Sequence, residues 1–124
     1  MNVTLERLEP FFKRKSARQR VILFLLAEGY SVGEIVRLSA RELKAIDLPD
    51  GLIIYRDELL DQLEDLKGPA FLYPGGRVMS HTDIYRILRQ ASTMVYERPM
   101  SVQQFQDAMK PRGKRSRVES PARA

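Results

Sequence analysis

Val21-Ile22-Leu23-Phe24-Leu25-Leu26-Ala27 is followed by Glu28-Gly29-Tyr30 and then by Ser31-Val32-Gly33-Glu34. Seven apolar residues in a row, introduced from Ser16 and closed by Gly29, read as a buried helix that ends at a glycine cap. The Ser-x-x-Glu spacing that follows lets a hydroxyl and a carboxylate each satisfy a backbone N–H, which predicts a second helix with Ile35 and Leu38 on its apolar face. The expected centre of the molecule is therefore helical.

Working outward toward the C-terminus, Ile46–Leu48 and Leu52–Tyr55 are short β-prone runs on either side of Pro49-Asp50-Gly51, a pattern that predicts a small hairpin. Arg56–Lys67 carries Leu59, Leu60, Leu63 and Leu66 on one face and acids on the other, before Gly68-Pro69 stops it. Phe71-Leu72-Tyr73 reads as an extended piece and Pro74-Gly75-Gly76 as a turn. Ser80-His81-Thr82-Asp83 then opens a helix on which Ile84, Ile87, Leu88, Ala91, Met94 and Val95 recur at helical spacing, leaving Arg86 and Arg89 outward. Ser101 and Gln104 start a last helix that buries Val102, Phe105 and Met109.

The chain has 21 Lys and Arg against 16 Asp and Glu, for a net charge of +5, which favours an anionic partner. These charges fall in blocks. Lys13, Arg14, Lys15, Arg18 and Arg20 have no acid among them, whereas Asp57, Glu58, Asp61, Glu64 and Asp65 crowd a later segment. Lys110, Arg112, Lys114, Arg115 and Arg117 lie among Pro111, Gly113, Ser116, Ser120 and Pro121, a composition expected to give a disordered basic tail. Three parts are expected: a basic lead-in over 1–15, a DNA-binding domain over 16–110 and the tail over 111–124. With no Cys and one His, thiol chemistry and the usual zinc sets are excluded, and no metal or other cofactor is expected. The apolar run Val21–Ala27 is shorter than a membrane span, and Met1–Arg20 lacks a signal-peptide segment, so the expected location is the cytoplasm, at the nucleoid, with no membrane partner.

From about Ser16 to Met109 the order of these pieces resembles the catalytic domain of tyrosine recombinases, the phage-integrase family. Leu25–Leu38 keeps the glycine, the glutamate and the apolar positions of that family's Gly-Leu-Arg-Ile-Ser-Glu-Leu-x-x-Leu signature. Phe71-Leu72-Tyr73-Pro74-Gly75-Gly76-Arg77-Val78-Met79-Ser80 is similar to its Leu-Phe-Pro, glycine, turn and serine sequence. The implied fold is mainly α with a small β-hairpin or sheet, a truncated tyrosine-recombinase-like catalytic domain.

The catalytic positions depart from the family. Ser31 stands where the arginine belongs, Gln103 to Gln106 occupy the His-x-x-Arg box, Lys44 is a poor substitute for the lysine, and no Tyr follows Tyr96. Loss of even one group that stabilises a phosphoryl transition state typically costs about 10²-fold in rate. The expectation is a catalytically inactive protein of phage or mobile-element descent in a bacterium, binding double-stranded DNA as a sequence-specific transcription regulator.

In the family the helix matching Ser80–Ser92 points into the major groove. That carry-over makes His81 and Thr82 base-contact candidates and Arg77, Arg86 and Arg89 phosphate contacts, with Lys13, Arg14, Lys15, Arg18 and the tail cations adding affinity. Because the chain lacks the family's separate N-terminal arm domain, a homodimer, a DNA-bending protein or the transcription machinery is an expected partner. Two alternatives stay open. Val32–Ile46 also resembles a helix-turn-helix, with Ala40–Ile46 reading DNA through Arg41 and Lys44. The acidic helix Asp57–Asp65 could instead dock on a recombinase or transcription factor, as an inhibitor or modulator.

Overall fold

Six consecutive apolar residues cannot share one side of a helix, so a helix built from Val21–Leu26 must be covered from every direction. In the computed structural model, which describes residues 3–63, 66–73 and 75–109, all six are buried. They belong to α2 (Ala17–Ala27), which starts at a Ser16/Gln19 capping box. It ends with Gly29 in the left-handed region (φ +109°), where Gly29 N–H donates to Leu26 O and Tyr30 N–H to Leu25 O. Glycine takes this conformation without the steric cost of a Cβ.

Around α2 stand α1 (Val3–Leu8), α3 (Val32–Arg37), α5 (Asp50–Asp61), α6 (His81–Tyr96) and α7 (Val102–Met109), while α4 (Ala40–Ala45) packs on α5. Reciprocal Ser-x-x-(Glu/Gln/Asp) caps begin α2, α3, α4, α6 and α7, at Ser16, Ser31, Ser39, Ser80 and Ser101. Each such cap is worth roughly 1 kcal/mol and marks in sequence where a helix must start.

The expected hairpin at 46–55 is absent: residues 46–49 connect α4 to α5, and helix takes over from Asp50. Pro49 is the N-cap of α5, Asp50 sits in its first turn, and Leu52, Tyr55 and Leu59 turn toward the core at helical spacing. Packing against α2 overrides the β-preference of Leu52-Ile53-Ile54-Tyr55. The acidic helix accordingly covers Asp50–Asp61 rather than 56–67. Arg56 Nη1 ties it to α4 by donating to Lys44 O (3.3 Å) and Ile46 O (3.2 Å).

Among the described residues the only β pairing is two isolated antiparallel bridges, Ser39 with Pro69 and Leu72 with Val78. They hold the segment after α5 between the start of α4 and the approach to α6. Gly75 and Gly76, both at positive φ, carry the turn.

Within the stretch expected as a basic lead-in, three residues belong to the core. After α1 a 3-10 turn (Glu9–Phe12) inserts Phe11 and Phe12, and Leu8, Phe11 and Phe12 are buried in the same cluster as Phe105 and Met109. Arg7 Nη1 donates to Ala108 O at 3.1 Å, joining the two ends of the described chain. Apolar burial decides this, because an aromatic pair of this size outweighs the solubility of three flanking cations.

Ser92 is fully buried on α6; its Oγ donates to Leu88 O (2.8 Å) and accepts from Met100 N–H (3.0 Å), pinning the turn that leads to α7. Ser92→Ala is expected to cost about 1 kcal/mol in urea unfolding, the low end for an orphaned N–H, because water reaches half-buried Met100.

Candidate nucleic-acid interface

Helix α6 is strongly two-sided. Ile84, Ile87, Leu88 and Ala91 are buried, while His81, Thr82, Tyr85, Arg86, Arg89, Gln90 and Thr93 are exposed. Its 16 residues give the exposed face a length of about 24 Å. Met94, expected in the core, is 54% exposed at the far end of that face. The helix runs on to Tyr96, where Glu97 takes a left-handed conformation and closes it.

The one carboxylate within α6, Asp83, is withdrawn from solvent. It caps the helix by accepting from Ser80 N–H at 2.8 Å, and accepts also from the Ser80 hydroxyl at 3.1 Å. Arg77 Nη1 lies 3.4 Å from Oδ2 and Arg86 Nη1 3.3 Å from Oδ1, yet both arginine side chains remain more than half exposed, at 64% and 58%. The Ser80 backbone N–H above all, then the Tyr73 and Ser80 hydroxyls and the Arg77 charge, hold the Asp83 carboxyl below its ordinary value of 3.8 against the opposing effect of burial. The carboxylate is thus a fixed anchor beneath two outward cations.

Tyr73 binds this cluster to the first basic block. The Arg77 guanidinium stands 4.1 Å above its ring, and that of Arg18, from the first turn of α2, stands 5.6 Å from it. Arg18 Nε is shut off from solvent without a hydrogen-bond partner among the described residues. One turn before Arg18, Lys15 Nζ reaches Met94 Sδ at 3.8 Å, near the opposite end of α6. Residues far apart in sequence therefore border one helix face, with Arg18 and Arg77 at one end and Lys15 at the other.

Other expected positions fall elsewhere. Lys13 and Arg14 are exposed on the turn before α2, Arg14 with φ +60°. Arg20 is structural: it donates to Tyr55 OH (2.9 Å) and Lys15 O (3.1 Å) and packs over the Tyr55 and Phe12 rings. Lys110, Arg112, Lys114, Arg115 and Arg117 lie outside the described residues, as do Glu64 and Asp65 of the acidic segment. Ser31 caps α3, and Gln106 Nε2 donates to Leu26 O (3.0 Å) and to Tyr30 O (3.3 Å), beside Ser31; Gln103, a turn away, bonds Asp107.

Sequence reading missed Tyr73 and saw Asp83 only as a helix cap. The signal for Asp83 was present, since a carboxylate at the third helical position faces back to the cap and Arg86 follows at i+3. Nothing in the sequence pointed to Tyr73.

Among the described residues no group of three or more His, Cys, Asp or Glu could hold a metal ion, and no helix is long and apolar enough to cross a membrane. Compared with known proteins, the chain matches no family model, no curated protein and no solved structure.

Proposed function

We propose that the chain binds double-stranded DNA through the exposed face of α6 without cutting it, and regulates transcription in a bacterium as a protein of phage-integrase descent. One observation carries the reading. From His81 to Tyr96 no acid is exposed, because Asp83 is buried and serves to fix Arg77 and Arg86. A convex helix bearing His, Thr, Tyr, Gln and Arg offers both base-reading and phosphate-binding groups.

The bond from Gln106 to Tyr30 O, the residue before Ser31, supports the descent, as Ser31 and Gln106 correspond to separate parts of the family's catalytic set. Neither side chain is a cation or a strong nucleophile, so binding without cleavage follows. A homodimer, a DNA-bending protein or the transcription machinery completes the complex. Lys13, Arg14 and the tail cations add phosphate contacts.

The helix-turn-helix alternative fares less well. In α4 the N–H groups of Ala40 and Arg41 are taken by Gly68 O and Leu66 O at 2.9 Å, so the end that would enter a groove is covered. Docking on a protein through α5 has one favourable observation, the 68% exposure of Ile54 on the acidic helix.

The test is binding of the full chain to duplex DNA across a salt series, beside a His81→Ala, Arg86→Ala, Arg89→Ala variant. The variant is expected to lose tenfold or more in affinity, with the salt slope lower by about 0.9 per phosphate contact removed. Supercoiled plasmid should remain uncut by both proteins. In the native host, genome-wide immunoprecipitation should give sharp promoter peaks that the variant loses. Equal binding by the two proteins would refute the assignment to α6.

A further inference from the structure

Arg37 closes α3, and its side chain folds back over Gly33, one turn earlier. A Cβ on Gly33 would stand 3.2 Å and 3.5 Å from the two terminal nitrogens of Arg37, and 3.5 Å from His81 Nε2, which reaches the same spot from the start of α6. The bare backbone at Gly33 is what lets a guanidinium and an imidazole from two helices approach one another. Both side chains are exposed, and neither makes a hydrogen bond or ion pair among the described residues. The carboxylates closest in sequence are engaged elsewhere: Glu34 Oε1 accepts from Ser31 N–H at 2.8 Å, and Asp83 lies buried under Arg77 and Arg86.

Two donor-bearing side chains that converge with no acceptor between them form a gap that an anionic oxygen fills, and a guanidinium presents two parallel N–H groups to a phosphate. We infer that Arg37 and His81 grip a single DNA-backbone phosphate over Gly33, so that the binding surface continues from α6 onto α3. This rests on the reading of α6 as the DNA face. A phosphate held at the junction of two helices sets the rotation of α6 about its own axis, and hence which of its side chains meet the base edges.

The experiment measures binding of the full chain to a fluorescein-labelled mixed-sequence duplex as NaCl is raised. Arg37→Ala is expected to weaken binding about five- to tenfold at low salt and to reduce the slope of log affinity against log salt by about 0.9. Arg37→Ala with His81→Ala should reduce the slope no further, since both groups serve one phosphate. Gly33→Glu, which fills the bare backbone under the pair and adds a carboxylate beside it while keeping both residues in the chain, should reproduce the Arg37→Ala loss. Should Arg37→Ala or Gly33→Glu bind like the parent while Arg86→Ala with Arg89→Ala is weakened, the shared notch is wrong and the α6 reading stands. Additive slope losses from Arg37 and His81 would mean two separate phosphates and overturn it as well. A parent chain with no salt-dependent binding would remove both.

Discussion

Phe105→Ala is expected to destabilise the protein by about 3–5 kcal/mol, a large part of the 5–15 kcal/mol typical of a domain. The ring is fully buried and meets Phe11 edge-on at 5.2 Å, with an interplanar angle of 80°. Phe11 in turn meets Tyr96 at 5.8 Å and 64°. Truncation therefore empties a volume bounded by α7, α2 and the 3-10 turn, and removes one of the two ring contacts of Phe11. Collapse into the void is resisted because Phe11 is also held by Tyr96. Urea unfolding of the full chain measures the effect; a loss under about 1 kcal/mol would show that α7 contributes little to the core.

Asp83→Ala should cost about 2 kcal/mol. The Ser80 N–H loses its acceptor, which is worth roughly 1 kcal/mol, and the half-buried Tyr73 hydroxyl loses another. Arg77 and Arg86 add little, because their exposed guanidinium groups regain water when the carboxylate goes. The sign with pH follows from the direction of the shift. A carboxyl held below its ordinary value in the folded state stabilises above 3.8 and loses that contribution as pH falls through its folded value. Asp83→Asn keeps the shape and should flatten this acid limb of the stability profile. An unchanged limb, measured by thermal unfolding between pH 2 and 6 on the scale of ordinary carboxylates, would mean that other acids dominate it.

The helical framework was legible wherever a local signal was strong. Ser31 with Glu34, Ser80 with Asp83, and Ser101 with Gln104 announced helix starts, and Gly29 announced an end, because caps depend on residues a few positions apart. Leu52–Tyr55 misled because its β-branched and aromatic residues suit a strand, and only contact with α2 makes it helical. Leu8, Phe11 and Phe12 were obscured by the cations that follow them. At the candidate interface the exposure of Arg86 and Arg89 could be read from periodicity. Tyr73 and Arg37 could not, since their neighbours come from other elements.

A single buried carboxylate with two arginines on it also bears on how tightly an anion can be held. A free arginine side chain gives up as much as about 2 kcal/mol of rotational freedom when a ligand immobilises it. Arg77, confined between the Tyr73 ring and Asp83, and Arg86, leaning on the other Asp83 oxygen, have surrendered part of that freedom already. An anion approaching this face would meet guanidinium groups already aimed, with less conformational disorder left to be removed at the moment of contact. Removing the carboxylate would leave both cations present and the helix face one charge more positive, yet with its guanidinium groups less firmly held.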